Sequence, residues 1–170
     1  MKNLNKLFTA FALMILVGSA NILAQETANV AVTAQVEAAL VLTPTDVALG
    51  TIQTGANSII DANSNDDATE ANLGDGATAG ALQIVGTSGV DVVVDWTTAT
   101  LNRTEDDDPI VFTPSVWLGG SEVTDGGTVT LTGGDITLDV GGELAAPSQT
   151  GAYSTSLGTS NVMTFTITYD

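Results

Sequence analysis

The chain has 170 residues, 44% of them hydrophobic, and carries 20 acidic side chains against 3 basic ones, for a net charge of −17 without a single histidine or cysteine. Those absences exclude disulfides, thiolate chemistry, Ser-His-Asp and Cys-His nucleophilic machinery and the usual zinc sites. The acidity makes nucleic acid and anionic membranes poor partners.

At the start, Lys2 and Lys6 precede an apolar run from Leu7 to Val17, then small residues and "NILA" ending at Ala24. This is the pattern of a secretory signal peptide over residues 1–24. The run is shorter than the ~20 residues a membrane-spanning helix needs, so the expectation is cleavage rather than a retained anchor, with no membrane insertion afterwards. No cysteine follows to accept lipid. Beyond residue 24, Arg103 is the only basic side chain facing all 20 acidic ones. Such acidity reads as solubility outside the cell, with cation binding as the functional alternative.

Residues 28–42, "ANVAVTAQVEAALVL", put an apolar side chain at every even position. As one strand this segment would span roughly 50 Å at about 3.3 Å per residue, far more than an ordinary strand of ~5–6 residues. The expectation is a break at "EAA", which separates an N-terminal extension over 25–37 from a single sandwich domain over 38–170. In the extension Val30, Val32, Ala34 and Val36 form one small apolar face, suited to a donor strand inserted into a partner.

Further strands are predicted at 30–36, 39–42, 47–52, 81–86, 90–96, 110–118, 128–132, 136–140, 151–157 and 162–169, from alternation, β-branched residues and threonine. No convincing helical period occurs. The fold class expected is all-β, an immunoglobulin-like antiparallel β-sandwich completed by a donated N-terminal strand. Four glycine pairs, at 119–120, 126–127, 133–134 and 141–142, are read as turns.

Residues 61–80 are too polar for a core strand and read as a long loop. Within "DANSNDDATEAN", Asp61, Asn63, Asn65, Asp67 and Thr69 alternate like the first ligands of an EF-hand loop, but Asp66 occupies the turn-glycine position and Asn72 the bidentate-glutamate position. Calcium held by Asp61, Asn63, Asn65 and Asp67 is therefore the candidate metal site, and a solvated loop the plainer alternative. In "VDVVVDW", Val90, Val92, Val94 and Trp96 share a face opposite Asp91 and Asp95, as a half-buried antiparallel strand requires. Arg103 in "NRTEDDDP" is expected to make a local ion pair, and Asn102-Arg103-Thr104 is a glycosylation sequon. Trp117, on the face opposite Phe112, Val116 and Leu118, admits three readings: second-layer core, exposed platform for a sugar, or intersubunit contact. At the end, Met163, Phe165, Ile167 and Tyr169 alternate with polar residues up to the penultimate position. That is either the last core strand or a strand that a periplasmic chaperone captures by edge pairing.

The pieces "AVTAQVEAALVLT" (31–43), "LGTI" (49–52), "LDVGGEL" (138–144), "GAY" (151–153) and "TFTITYD" (164–170) together resemble the bacterial exported family called domain of unknown function 4402. The resemblance implies a secreted immunoglobulin-like sandwich with pilin-type members, and the penultimate Tyr169 is similar to that of chaperone–usher pilins. It lends no site residues.

No pair among the acids is singled out for glycoside hydrolysis, so no enzymatic activity is expected. The expected function is a structural subunit of a pilus-like filament or surface layer that assembles by β-strand donation. It would lie outside the cell or on the surface of a Gram-negative bacterium, with itself as principal partner and a periplasmic chaperone or outer-membrane usher as assistants. The alternative is a monomeric calcium-assisted adhesin or carbohydrate-binding module. No cofactor is expected other than the candidate calcium.

Overall fold

The computed structural model describes residues 33–62, 70–103, 108–157 and 161–170. The chain divides into two compact units, Met1–Gln35 and Val36–Asp170. The leader over 1–24, Val30 and Val32 of the extension, and Asn63, Asn65 and Asp67 of the candidate calcium loop lie outside the described residues.

Among the described residues of the second unit, alternating β-branched segments separated by glycine form eleven strands: β1 (Val41–Thr45), β2 (Ser58–Ile60), β3 (Gly80–Val85), β4 (Asp91–Trp96), β5 (Ala99–Arg103), β6 (Ile110–Leu118), β7 (Ser121–Val123), β8 (Gly127–Thr130), β9 (Asp135–Leu144), β10 (Tyr153–Ser154) and β11 (Phe165–Tyr169). All pairings between them are antiparallel. One sheet runs β1-β3-β9-β6-β5-β10, with β2 added beside β9 and β7 beside β6; the other runs β11-β4-β8. Among the described residues no helix is long and apolar enough to cross a membrane.

The alternation puts Leu82, Ile84, Val116 and Leu138 of the large sheet against Val92, Val94 and Val129 of the small one, with Leu131 between them. Ile84, Val92, Val94, Val116, Leu131 and Leu138 are completely buried. At roughly 1.5–3 kcal/mol per such side chain, this cluster is what holds the two sheets together as a β-sandwich. Trp96 and Phe165 meet at 6.1 Å between ring centroids, tilted by 51°, and tie β11 to β4. A second cluster of Ile60, Ala99, Ile110, Phe112 and Leu144 lies under the large sheet's other half.

The alternation located β3, β4 and β6 closely, and β6 to the residue. Four expectations are corrected. Residues 47–52 form no strand. Ala48 makes a single bridge to Thr78, the chain turns at Gly50 (φ 67°), and Val47, Leu49 and Ile52 plug the second cluster from a loop. Residues 33–36 are likewise not in a strand. Tyr153–Ser154 is all that remains of the strand predicted at 151–157. The glycine pair 141–142 is no turn but lies inside β9, the longest strand. There a Cβ on Gly141 would collide with the Ile60 carbonyl, and one on Gly142 would approach Phe112 Cζ to 2.7 Å, so these glycines allow β2 and β6 to crowd β9 from both sides. Polar composition hid the short strands β5 and β7, and β2, at three residues, is too short to show an alternation.

Candidate functional site: an open groove between two sheet edges

β1 ends the large sheet and β11 ends the small one, so both present an outer edge with no strand beyond it among the described residues. Their apolar side chains face the interior but are not covered. Leu42 lies opposite Ile84, which is fully buried, and residues directly opposite in an antiparallel pair share a face; Leu42 is nonetheless 38% exposed. Likewise Ile167 and Tyr169 lie opposite the fully buried Val94 and Val92, yet both are only half-buried, as is Phe165. A sandwich with all its strands would cover these side chains. Among the described residues no strand fills the cleft between β1 and β11.

At one end the cleft widens into a cavity of about 320 Å³, lined by Pro44, Leu49, Ala99, Phe112, Met163 and Phe165. These side chains are apolar, while Thr45, Asp46 and Thr155 add polar groups to the lining. Pro44 sits in β1 without harm because an edge strand does not need every N–H.

At the other end the cleft is closed by hydrogen bonds around Tyr169. Its hydroxyl donates to the Ala38 carbonyl at 2.7 Å and accepts from the Thr87 N–H at 2.9 Å, while the Ala38 N–H donates to Thr87 Oγ1 at 2.6 Å. Gly86 makes room for this arrangement, because a Cβ there would lie 2.5 Å from the Tyr169 hydroxyl. The last strand, the β3–β4 turn and the chain entering β1 are thus joined at one point. Of the expected donor face, Ala34 and Val36 are exposed, Val36 at 89%.

The C-terminal residues Met163, Phe165, Ile167 and Tyr169 therefore come together as one wall of the cleft. The opposite wall, Leu40, Leu42 and Pro44, went unrecognised as part of a site, since alternation shows which way a side chain points but not whether a facing strand exists.

The calcium reading gains no geometry. Asp61 is half-buried and its three expected companions lie outside the described residues. Among the described residues no group of three or more acidic side chains is placed to hold a metal ion. Asn72, at φ 51°, spends its side chain on the loop itself: the two Nδ2 hydrogens are shared among Gln53 O, Ala56 O and Ser58 Oγ at 3.1, 3.1 and 2.9 Å, and Oδ1 accepts from the Gln53 N–H at 2.9 Å.

Arg103 donates from Nη1 to the Thr150 carbonyl at 2.8 Å. Nearby, Tyr153 and Ser148 both donate to Asp108 Oδ2. Partial desolvation, and then the Asp108 hydrogen bond and charge, raise the Tyr153 phenol above its ordinary value. Trp117 is half-buried and belongs to neither core cluster. Its neighbour Val116 points inward and is fully buried, so strand geometry turns Trp117 to the outer face, opposite Glu122 on β7 and Asp139 on β9.

No family model matches the chain, and no curated protein shows significant sequence similarity to it.

Proposed function

We propose that this chain is a secreted structural subunit that polymerises by strand donation into a pilus-like filament or surface layer, the segment around Val30, Val32, Ala34 and Val36 of one copy lying in the β1–β11 cleft of the next. The observation that carries this reading is the half-exposure of inward-facing apolar residues on both walls: Leu42 on β1, and Phe165, Ile167 and Tyr169 on β11. An added strand would cover them and pair along the outer edge of β11, which no described strand occupies, the mode by which extended segments complete an open sheet. Each covered Å² of apolar surface contributes about 25 cal/mol, and the small alternating side chains of the segment suit a narrow cleft. Until that happens, the same edge is an aggregation hazard, which gives a periplasmic chaperone or usher a physical task.

Negative-stain microscopy of the chain from residue 25 onward tests the reading, with Val32→Asp as control. Filaments are expected from the parent, and only monomers of undiminished stability from the variant, because the substitution puts an unpaired charge into an apolar cleft. If Val32→Asp instead unfolds the monomer, residues 30–36 are the first strand of their own sandwich and the proposal is wrong.

One observation favours a second reading. Trp117, outward-facing with an acidic residue opposite it on each neighbouring strand, has the make-up of a sugar-binding platform. Loss of glycan-array binding on Trp117→Ala would support it.

A further inference from the structure

We infer that the Tyr169–Ala38–Thr87 arrangement is a clasp that keeps the donor segment out of its own subunit's cleft, and so directs donation to a second copy. The inference rests on the strand-donation reading and concerns its regulation.

The problem the clasp solves is one of concentration. A segment joined to its own cleft by a few flexible residues has an effective concentration on the order of mM, about a thousandfold above subunits present at μM levels. Unrestrained, such a segment would fill its own cleft and polymerisation would stop. Something has to make the intramolecular route costly.

The geometry shows where that cost arises. Ala38 is hydrogen-bonded to Tyr169 at one end of the cleft, whereas Pro44 and Val47 line one cavity with Met163 and Phe165 at the other. The chain therefore enters β1 at the narrow end. To lie in its own cleft, the segment before Val36 would have to reverse direction between Val36 and Leu40. Both backbone polar groups of Ala38 are already taken, the N–H by Thr87 Oγ1 and the carbonyl by the Tyr169 hydroxyl, so a hairpin at this point would break both bonds. The sequence resists the same turn independently: "VEAAL" at 36–40 contains no glycine, proline, asparagine or aspartate to build one. Val36, at 89% exposure, already points away from the domain's apolar surface.

The experiment uses the chain from residue 25 onward in three forms: the parent, Tyr169→Phe, and Tyr169→Phe combined with Glu37→Asn and Ala38→Gly, which supplies the favoured two-residue hairpin turn. Thr87→Val opens the clasp from its other side, should the Tyr169 variants fold poorly. Light scattering after size exclusion gives the monomer fraction, and thermal melting reports whether the monomer's cleft is filled. The expected result is that the parent forms polymers, Tyr169→Phe or Thr87→Val adds a monomer fraction, and the turn-bearing variant becomes predominantly monomeric with a melting temperature above that of the Val32→Asp monomer. Polymers equally abundant in all forms would overturn the clasp while leaving strand donation intact. A parent that stays monomeric, with Val32→Asp unfolding it, would overturn strand donation and the clasp together.

Discussion

The hydroxyl of Tyr169, the penultimate residue, donates a 2.7 Å hydrogen bond to the carbonyl of Ala38, joining the last strand to the chain entering the first across 131 positions of sequence. The same oxygen accepts from the Thr87 N–H, so one phenol ties together three segments far apart in sequence.

That junction should behave as a unit. Tyr169→Phe and Thr87→Val are each expected to destabilise the monomer by about 1 kcal/mol, the net worth of a typical hydrogen bond. Because Thr87 Oγ1 and the phenol converge on Ala38, the double variant should cost less than the two single costs added together. Urea titrations of the four proteins in a Val32→Asp background, which keeps them monomeric, check this.

Leu42 should separate folding from assembly. Being 38% exposed in the monomer, it leaves little cavity when shortened, so Leu42→Ala is expected to lower monomer stability by about 1 kcal/mol or less. In a polymer the same side chain would be covered, and filament dissociation in denaturant should shift by more than the monomer does. Equal shifts would mean that the cleft stays open in the assembly.

Gly142→Ala is expected to destabilise by about 1–3 kcal/mol, as overpacking does, and by more than Gly55→Ala, whose added methyl meets open space. Both glycines have positive φ (150° and 79°), and at Gly142 a Cβ would in addition collide with Thr113 O and Phe112 Cζ. Chemical denaturation of the two variants side by side gives the answer.

Calcium binding should be weak. With the turn glycine and the bidentate glutamate of an EF-hand loop both replaced, by Asp66 and Asn72, calorimetric titration is expected to give an affinity poorer than micromolar. Micromolar or tighter binding that is lost on Asp61→Asn would restore the calcium reading.

Much of the sandwich was legible in the sequence, and the reason differs by element. β4 and β6 announce themselves because Val92, Val94, Phe112 and Val116 alternate with polar or solvent-facing residues, and burial on one face only is what writes that pattern. The stretch 47–52 misled because Val47, Leu49 and Ile52 are apolar for the same reason as strand residues, to fill a core, but do so from a loop bent at Gly50. The glycines of β9 misled in the opposite sense, since close approach of neighbouring strands requires the same residue that a turn does. The walls of the cleft were visible one at a time, in the alternation of Phe165, Ile167 and Tyr169 and in the run through Leu40 and Leu42. Their both being outer edges of the sandwich among the described residues is a property of topology, which local periodicity does not encode.

Arg103 has a consequence of another kind, in how the protein ends its life. Beyond Lys6 it is the only residue after which a trypsin-like protease can cut, and it sits on β5, bonded to Tyr153 of β10 in the strand ladder and to the Thr150 carbonyl through its guanidinium. Beyond Lys6 a trypsin-like protease thus finds a single basic target, and that target is half-buried in a sheet. Durability against that class of hydrolase is built into the composition before any fold is reached, and the strand adds a second layer of protection at the one place where composition leaves a gap.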